Sequence, residues 1–156
     1  MNALSGLQKS CQFNILQDHV GLISVAHQAV LRLSSFSNMV DMKTTHTSLP
    51  FAGHTLHFVE FDPASFREQD LLWLPHYAQL QHAGRKRKTE HLAGRIAAIY
   101  ALREYGYKCV PAIGELRQPV WPAGVYGSIS HCGTTALAVV SRQPIGIDIE
   151  EIFSAQ

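Results

Sequence analysis

The stretch Gly124–Glu151, GVYGSISHCGTTALAVVSRQPIGIDIEE, decides the fold. It reads as short extended segments at 127–132, at the β-branched run 134–140 and at 145–149, separated by Gly and Pro. Alternate residues of a strand share a face, so Asp148 and Glu150 project from one side while Ile147 and Ile149 enter the core. Carboxylates placed this close repel unless a cation lies between them or one takes a proton. Oxygen-only ligands suit Mg²⁺ better than zinc, and Mg²⁺ keeps waters and draws its other ligands from substrate phosphates. Just upstream, Ser128, Ser130 and His131 supply hydroxyls and an imidazole suited to a phosphate. Alternation alone favours a plainer reading, an amphipathic strand with a solvated acidic face and an ordinary core or edge histidine at 131.

Around this stretch, 156 residues with 46% hydrophobic and 16% charged side chains make one globular domain's length of chain. A net charge of +1 argues against bulk attraction to nucleic acid or membrane and leaves only local surfaces for either. The nine histidines scatter. His54 and His57 lie in an extended TLHFVEF context that sends them to opposite faces, which disfavours zinc. Cys11, Cys109 and Cys132 lack C-x-x-C spacing and leave one thiol unpaired in any disulfide scheme, as in a reducing compartment. A catalytic Cys132 beside His131 is disfavoured, because strand neighbours face opposite ways.

Residues 1–38 read as an extension without evident chemistry, with Met39 or Met42 as an alternative start and 39–156 as the folded lobe. Val20–Leu33 suggests a short helix, too interrupted by polar residues to span a bilayer and without the pattern of a secretory signal. Thr55–Phe61 reads as a strand. Asp62-Pro63 caps a short helix to about Leu72, and Pro75 restarts a helical piece over His76–Ala83. A longer helix runs from Arg85 to Tyr105 and ends at Gly106, with Leu92, Ile96, Ile99 and Tyr100 as its core stripe. Gly94 allows a close neighbour. Lys108–Trp121 is a punctuated connection with one strand, and Trp121 suits either the core or an adenine ring.

The first turn of that helix holds Arg85, Lys86, Arg87 and Lys88, with Arg95 two turns on. Cations at a helix N-terminus oppose the macrodipole and repel one another, so helix physics does not ask for them and an anion does. A solvated basic turn and a nuclear-localisation or nucleic-acid patch are the competing readings.

RKRKTEHLAGR on a helix, WPAGVYGSISHC on a turn and strand, and IGIDIEEI on a strand together resemble the 4′-phosphopantetheinyl transferases over roughly three quarters of the chain. The resemblance implies transfer of 4′-phosphopantetheine from coenzyme A to a serine of an apo acyl, peptidyl or aryl carrier protein, of the siderophore-type nonribosomal peptide kind. It matches Asp148 and Glu150 to the catalytic Mg²⁺ ligands, Ser130 and His131 to contacts with the coenzyme A phosphates, and Arg87, Lys88 and Arg95 to 3′-phosphate ligands. The lysine that family members carry shortly before W-P is replaced near Ile113, which leaves Arg117 as a substitute. It further implies an α+β fold, one lobe with a small, mostly antiparallel sheet and helices on one side. A cytoplasmic protein, with peripheral attachment to the inner membrane open, is expected.

A second lobe in the family bears a motif close to K-E-[SA]-x-x-K, whose glutamate completes the metal site; no such motif occurs before Gln156. A truncated, amino-terminal portion with little or no activity alone is therefore expected. The alternative of another class is a non-catalytic module that binds coenzyme A or a nucleotide phosphate without a third metal ligand. An RNA-binding fragment built on RKRK lacks the aromatic platforms such binders use.

Overall fold

The structure, a computed structural model, describes residues 10–15, 19–24, 40–115 and 117–151. In chain order the strands are β1 (Ser10–Ile15), β2 (His19–Ser24), β3 (Thr44–Phe51), β4 (His54–Phe61), β5 (Ala112–Ile113), β6 (Pro119–Val120), β7 (Tyr126–Cys132), β8 (Thr135–Ser141) and β9 (Ile147–Glu151), and α1 is Arg85–Arg103. β3, β4, β8 and β7 form an antiparallel sheet in that spatial order. The fold is α+β, as expected.

β8 shows why the sheet sits where it does. Its TALAVVS run is buried throughout, and its alternation splits the core. Ala136, Ala138 and Val140 join the cluster under α1, with Leu92, Ile96 and Tyr100. Leu137 and Val139 turn the other way and join Leu56, Phe58, Ile147 and Ile149. Small residues on the helix side let α1 approach closely. A Cβ added at Gly94 would stand 2.9 Å from Ile129 Cγ2, so the helix and β7 touch where the sequence placed a close neighbour. α1 ends as expected at Gly106 (φ +85), where Tyr107 N–H donates to Leu102 O and Gly106 N–H to Arg103 O, a Schellman motif.

The short helix expected to about Leu72 and the helical piece expected over 76–83 are present as 3-10 helices, at Pro63–Ser65, Glu68–Trp73 and Tyr77–Leu80. The Asp62 cap is present, its carboxylate accepting from Ala64 N–H. The buried Asp70 carboxylate accepts from the backbone N–H groups of Asp41, Met42 and Arg67 at 2.7, 3.1 and 3.0 Å. Those bonds fix the turn to the segment leading into β3 rather than to a continuing helix, and Pro75 separates it from the next turn. The connection after α1 holds a pair of two-residue strands, β5 and β6, where one strand was expected.

β3 went unread in the sequence. It pairs with β4 across the two-residue turn Ala52-Gly53, both at positive φ (55 and 81), the geometry that matches hairpin twist. In the extension, β2 makes Val20–Ser24 extended rather than helical, which suits the glycine and β-branched residues of HVGLIS. The rest of the expected helix lies outside the described residues. β1 pairs with β2 on one edge and with β9 on the other, placing Asn14 opposite Asp148 and Gln12 opposite Glu150. Among the described residues, no helix is long and apolar enough to cross a membrane.

Candidate phosphate and cation site

Strand β9 carries Asp148 and Glu150 at alternate positions, so backbone register puts both on one face of the strand. Asp148 is exposed, and its Oδ1 receives the Ser130 hydroxyl at 3.3 Å. Ser130 is on β7, and its neighbour His131 projects from the opposite face of that strand toward α1, with Nδ1 3.8 Å from Glu90 Oε2. β7 is the last strand of the four-stranded sheet, with α1 on one side and β9 alongside on the other. An exposed carboxylate such as that of Asp148 suits a partial ligand set for Mg²⁺, the remainder coming from other carboxylates, water and phosphate. Among the described residues no cluster of three or more His, Cys, Asp or Glu side chains converges as a complete metal centre.

The basic turn of α1 divides into tethered and open side chains. Arg85 donates to the carbonyls of Pro63 and Phe66 at 3.0 and 2.9 Å and lies over the Phe66 ring. Lys88 is buried and paired with Glu68 at 2.8 Å. Arg95, also buried, donates from Nε to Pro111 O at 2.8 Å and from Nη2 to Ala112 O at 3.1 Å, tying α1 to β5. Burial lowers its pKa to about 10, which leaves it charged at neutral pH. Arg87 is exposed. It opens into a cleft of about 600 Å³ shared with His82, His91, Gly114, Glu115 and Arg117.

Arg117 therefore reaches the same cleft as Arg87, on a turn closed by Gly114 N–H to Gln118 O at 2.7 Å. Its own backbone is left-handed (φ 66), a conformation that costs a non-glycine residue about 1–2 kcal/mol. His91 carries no motif in the sequence, yet it lines the cleft between Arg87 and Arg117. Its Nε2 lies 2.9 Å from that of His76. Burial first, then the positive fields of Arg95, His76, Arg87 and His131, push its pKa down to about 3. One neutral imidazole thus feels both the basic helix and the histidine of β7. The signal was its place beside Glu90, one turn after Arg87, but a lone histidine on a helix carries no such meaning without the third dimension.

Trp121, which suited either the core or an adenine ring, is half-buried against the core and closes on Gly127, where an added Cβ would stand 2.5 Å from its ring. Cys109 and Cys132 form no disulfide.

Residues 76–141 match the 4′-phosphopantetheinyl transferase N-terminal domain. The chain is 96% identical over 115 residues to enterobactin synthase component D of Escherichia coli K12, covering 74% of this chain and 56% of that protein. It is 69% identical over 113 residues to the protein of the same name from Salmonella typhimurium, covering 72% and 48%. The 4′-phosphopantetheinyl transferase PptT of Mycobacterium tuberculosis is 37% identical over 70 residues, covering 42% and 31%. The chain spans about half the length of the enterobactin synthase components it matches.

Proposed function

Since the chain belongs to the 4′-phosphopantetheinyl transferase family through its N-terminal domain, we propose that it forms the coenzyme A side of an enzyme that loads 4′-phosphopantetheine onto a carrier-protein serine in enterobactin-type peptide synthesis. The observation that carries this reading is the cleft that Arg87 shares with His91 and Arg117, with Asp148 linked to β7 through Ser130. Arginines of the cleft and the exposed Asp148 carboxylate supply the two kinds of group that a ligand with several phosphates and a cation needs.

In this reading Arg87, with Arg117 across the cleft, takes the 3′-phosphate of coenzyme A. Lys88 and Arg95 contribute fixed positive charge there while they hold the helix start and β5 in place. His131, steadied by Glu90, faces the pyrophosphate, and Ser130 stands beside it. Asp148 and Glu150 hold Mg²⁺, which when bound neutralises charge that builds on the pyrophosphate as the serine oxygen bonds to the β-phosphorus and adenosine 3′,5′-bisphosphate departs. These groups orient the cofactor and need not move during the reaction.

Isothermal titration with coenzyme A and with 3′-dephospho-coenzyme A tests the reading. The expected result is weaker binding of the dephospho form, by about tenfold or more, and an equal loss for coenzyme A on Arg87→Ala. Equal affinity for both ligands, unchanged by that substitution, overturns it.

A further inference from the structure

β9 and β7 belong to different sheets, yet they run side by side. Their joint uses side chains in place of a backbone ladder. Ser128 Oγ accepts from Ile147 N–H at 3.1 Å, and Ser130 Oγ accepts from Ile149 N–H at 3.1 Å. Serines two apart on one strand meet amides two apart on the other, in the same chain direction. Both strands advance by the same rise, so hydroxyls replace carbonyls without loss of register. Ser130 also turns its single proton to Asp148 Oδ1.

We propose that Ser128 and Ser130 are positioning residues: their hydroxyls dock β9 on β7, and the Ser130 hydroxyl sets the direction of the Asp148 carboxylate. The consequence for cation binding rests on the function proposed above; the docking does not. Several observations support it. Successive N–H groups of a strand point to opposite edges, so the amides of Ile147 and Ile149 face β7 while those of Asp148 and Glu150 face β1. Pairing with β1 thus cannot replace the serines. On the far side of β7, Ile129 packs against Gly94 and His131 meets Glu90, which fixes the strand's rotation and aims positions 128 and 130 at β9. A hydroxyl with one proton that is given to Asp148 has only acceptor capacity left, and Ile149 N–H uses it. Ser130 therefore acts on the cofactor through Asp148, whereas His131 faces it directly.

Amide hydrogen exchange by NMR on the whole chain, comparing Ser128→Ala, Ser130→Ala and the hydroxyl-retaining Ser128→Thr and Ser130→Thr, tests the docking. Ile147 is expected to exchange about tenfold faster in Ser128→Ala and Ile149 in Ser130→Ala, each recovered by threonine, with Leu137 in the core unchanged as the mark of an intact sheet. Unchanged protection of Ile147 and Ile149 in the alanine variants overturns the proposal. Mn²⁺ binding, read by water-proton relaxation, tests the orientation of Asp148. Affinity is expected to fall severalfold in Ser130→Ala and return in Ser130→Thr, and an unaltered affinity in Ser130→Ala overturns that part. Absence of Mn²⁺ binding by the unsubstituted chain refutes the cation reading alone, and the exchange data then decide the docking.

Discussion

His57 lies in the core with its Nδ1 2.8 Å from His46 Nε2, and its Nε2 is 3.0 Å from Glu104 Oε2, outside hydrogen-bond alignment. His46 stacks on Tyr100 at 3.7 Å between ring centroids. Burial pushes the His57 pKa down to about 4, and burial with nearby cations takes His91 to about 3. In the unfolded chain both titrate near 6.5, so between roughly pH 3 and 6.5 the unfolded state binds more protons. Stability is then full above pH 6.5 and falls as the solution is acidified through that window, by on the order of 1 kcal/mol per pH unit for each histidine. Urea midpoints measured from pH 7 to 4.5 should fall steadily, and His57→Gln should flatten the slope whatever it does to the midpoint at pH 7. A slope untouched by that substitution would show that His57 does not stay neutral in the fold. None of this was legible in the chain, where H-x-x-H in an extended segment gave no hint that the His57 imidazole meets that of His46 across the hairpin.

At the level of elements, α1 and β7 depend on Gly94. Alanine there places a methyl 2.9 Å from Ile129 Cγ2, and an overpacked contact of this kind costs about 1–3 kcal/mol. Gly94→Ala is expected to lower stability by that amount and to cost less in an Ile129→Ala background, because the opposing methyl is gone. Chemical denaturation of the two single variants and the double variant checks it, and additive losses would place the strain elsewhere. β7, β8, β9 and α1 were readable because Gly and Pro punctuate the chain around them and because β8, β9 and α1 carry apolar runs. β3 was not, since TTHTSLPF mixes polar residues into both faces and its burial comes from pairing with β4. That the helix at Glu68–Trp73 is 3-10 and not α could not be read, because the bonds that set it join Asp70 to Asp41 and Met42, 29 and 28 residues away. For the same reason the placement of Asp148 and Glu150 on one face of a strand was legible, whereas the serine hydroxyls that dock that strand became visible only with the register of β7 against β9.

For the molecule as a whole, the basic helix and the acidic strand sit on either side of β7, and the proposed chemistry needs both to act on one ligand. Motif order in the sequence pointed to that pairing, but which cations are open was a matter of packing: Arg87 is exposed in the cleft while Lys88 and Arg95 are buried against Glu68 and the β5 carbonyls. A site of this kind ties cofactor affinity to the cation, whereas a module that only binds nucleotide phosphate does not. The decisive measurement is the affinity of the chain for coenzyme A with Mg²⁺ and with the metal chelated, for the unsubstituted chain and for Asp148→Asn. Binding that tightens with Mg²⁺ in the unsubstituted chain and loses that dependence in Asp148→Asn is the expected result; binding indifferent to Mg²⁺ in both would contradict it.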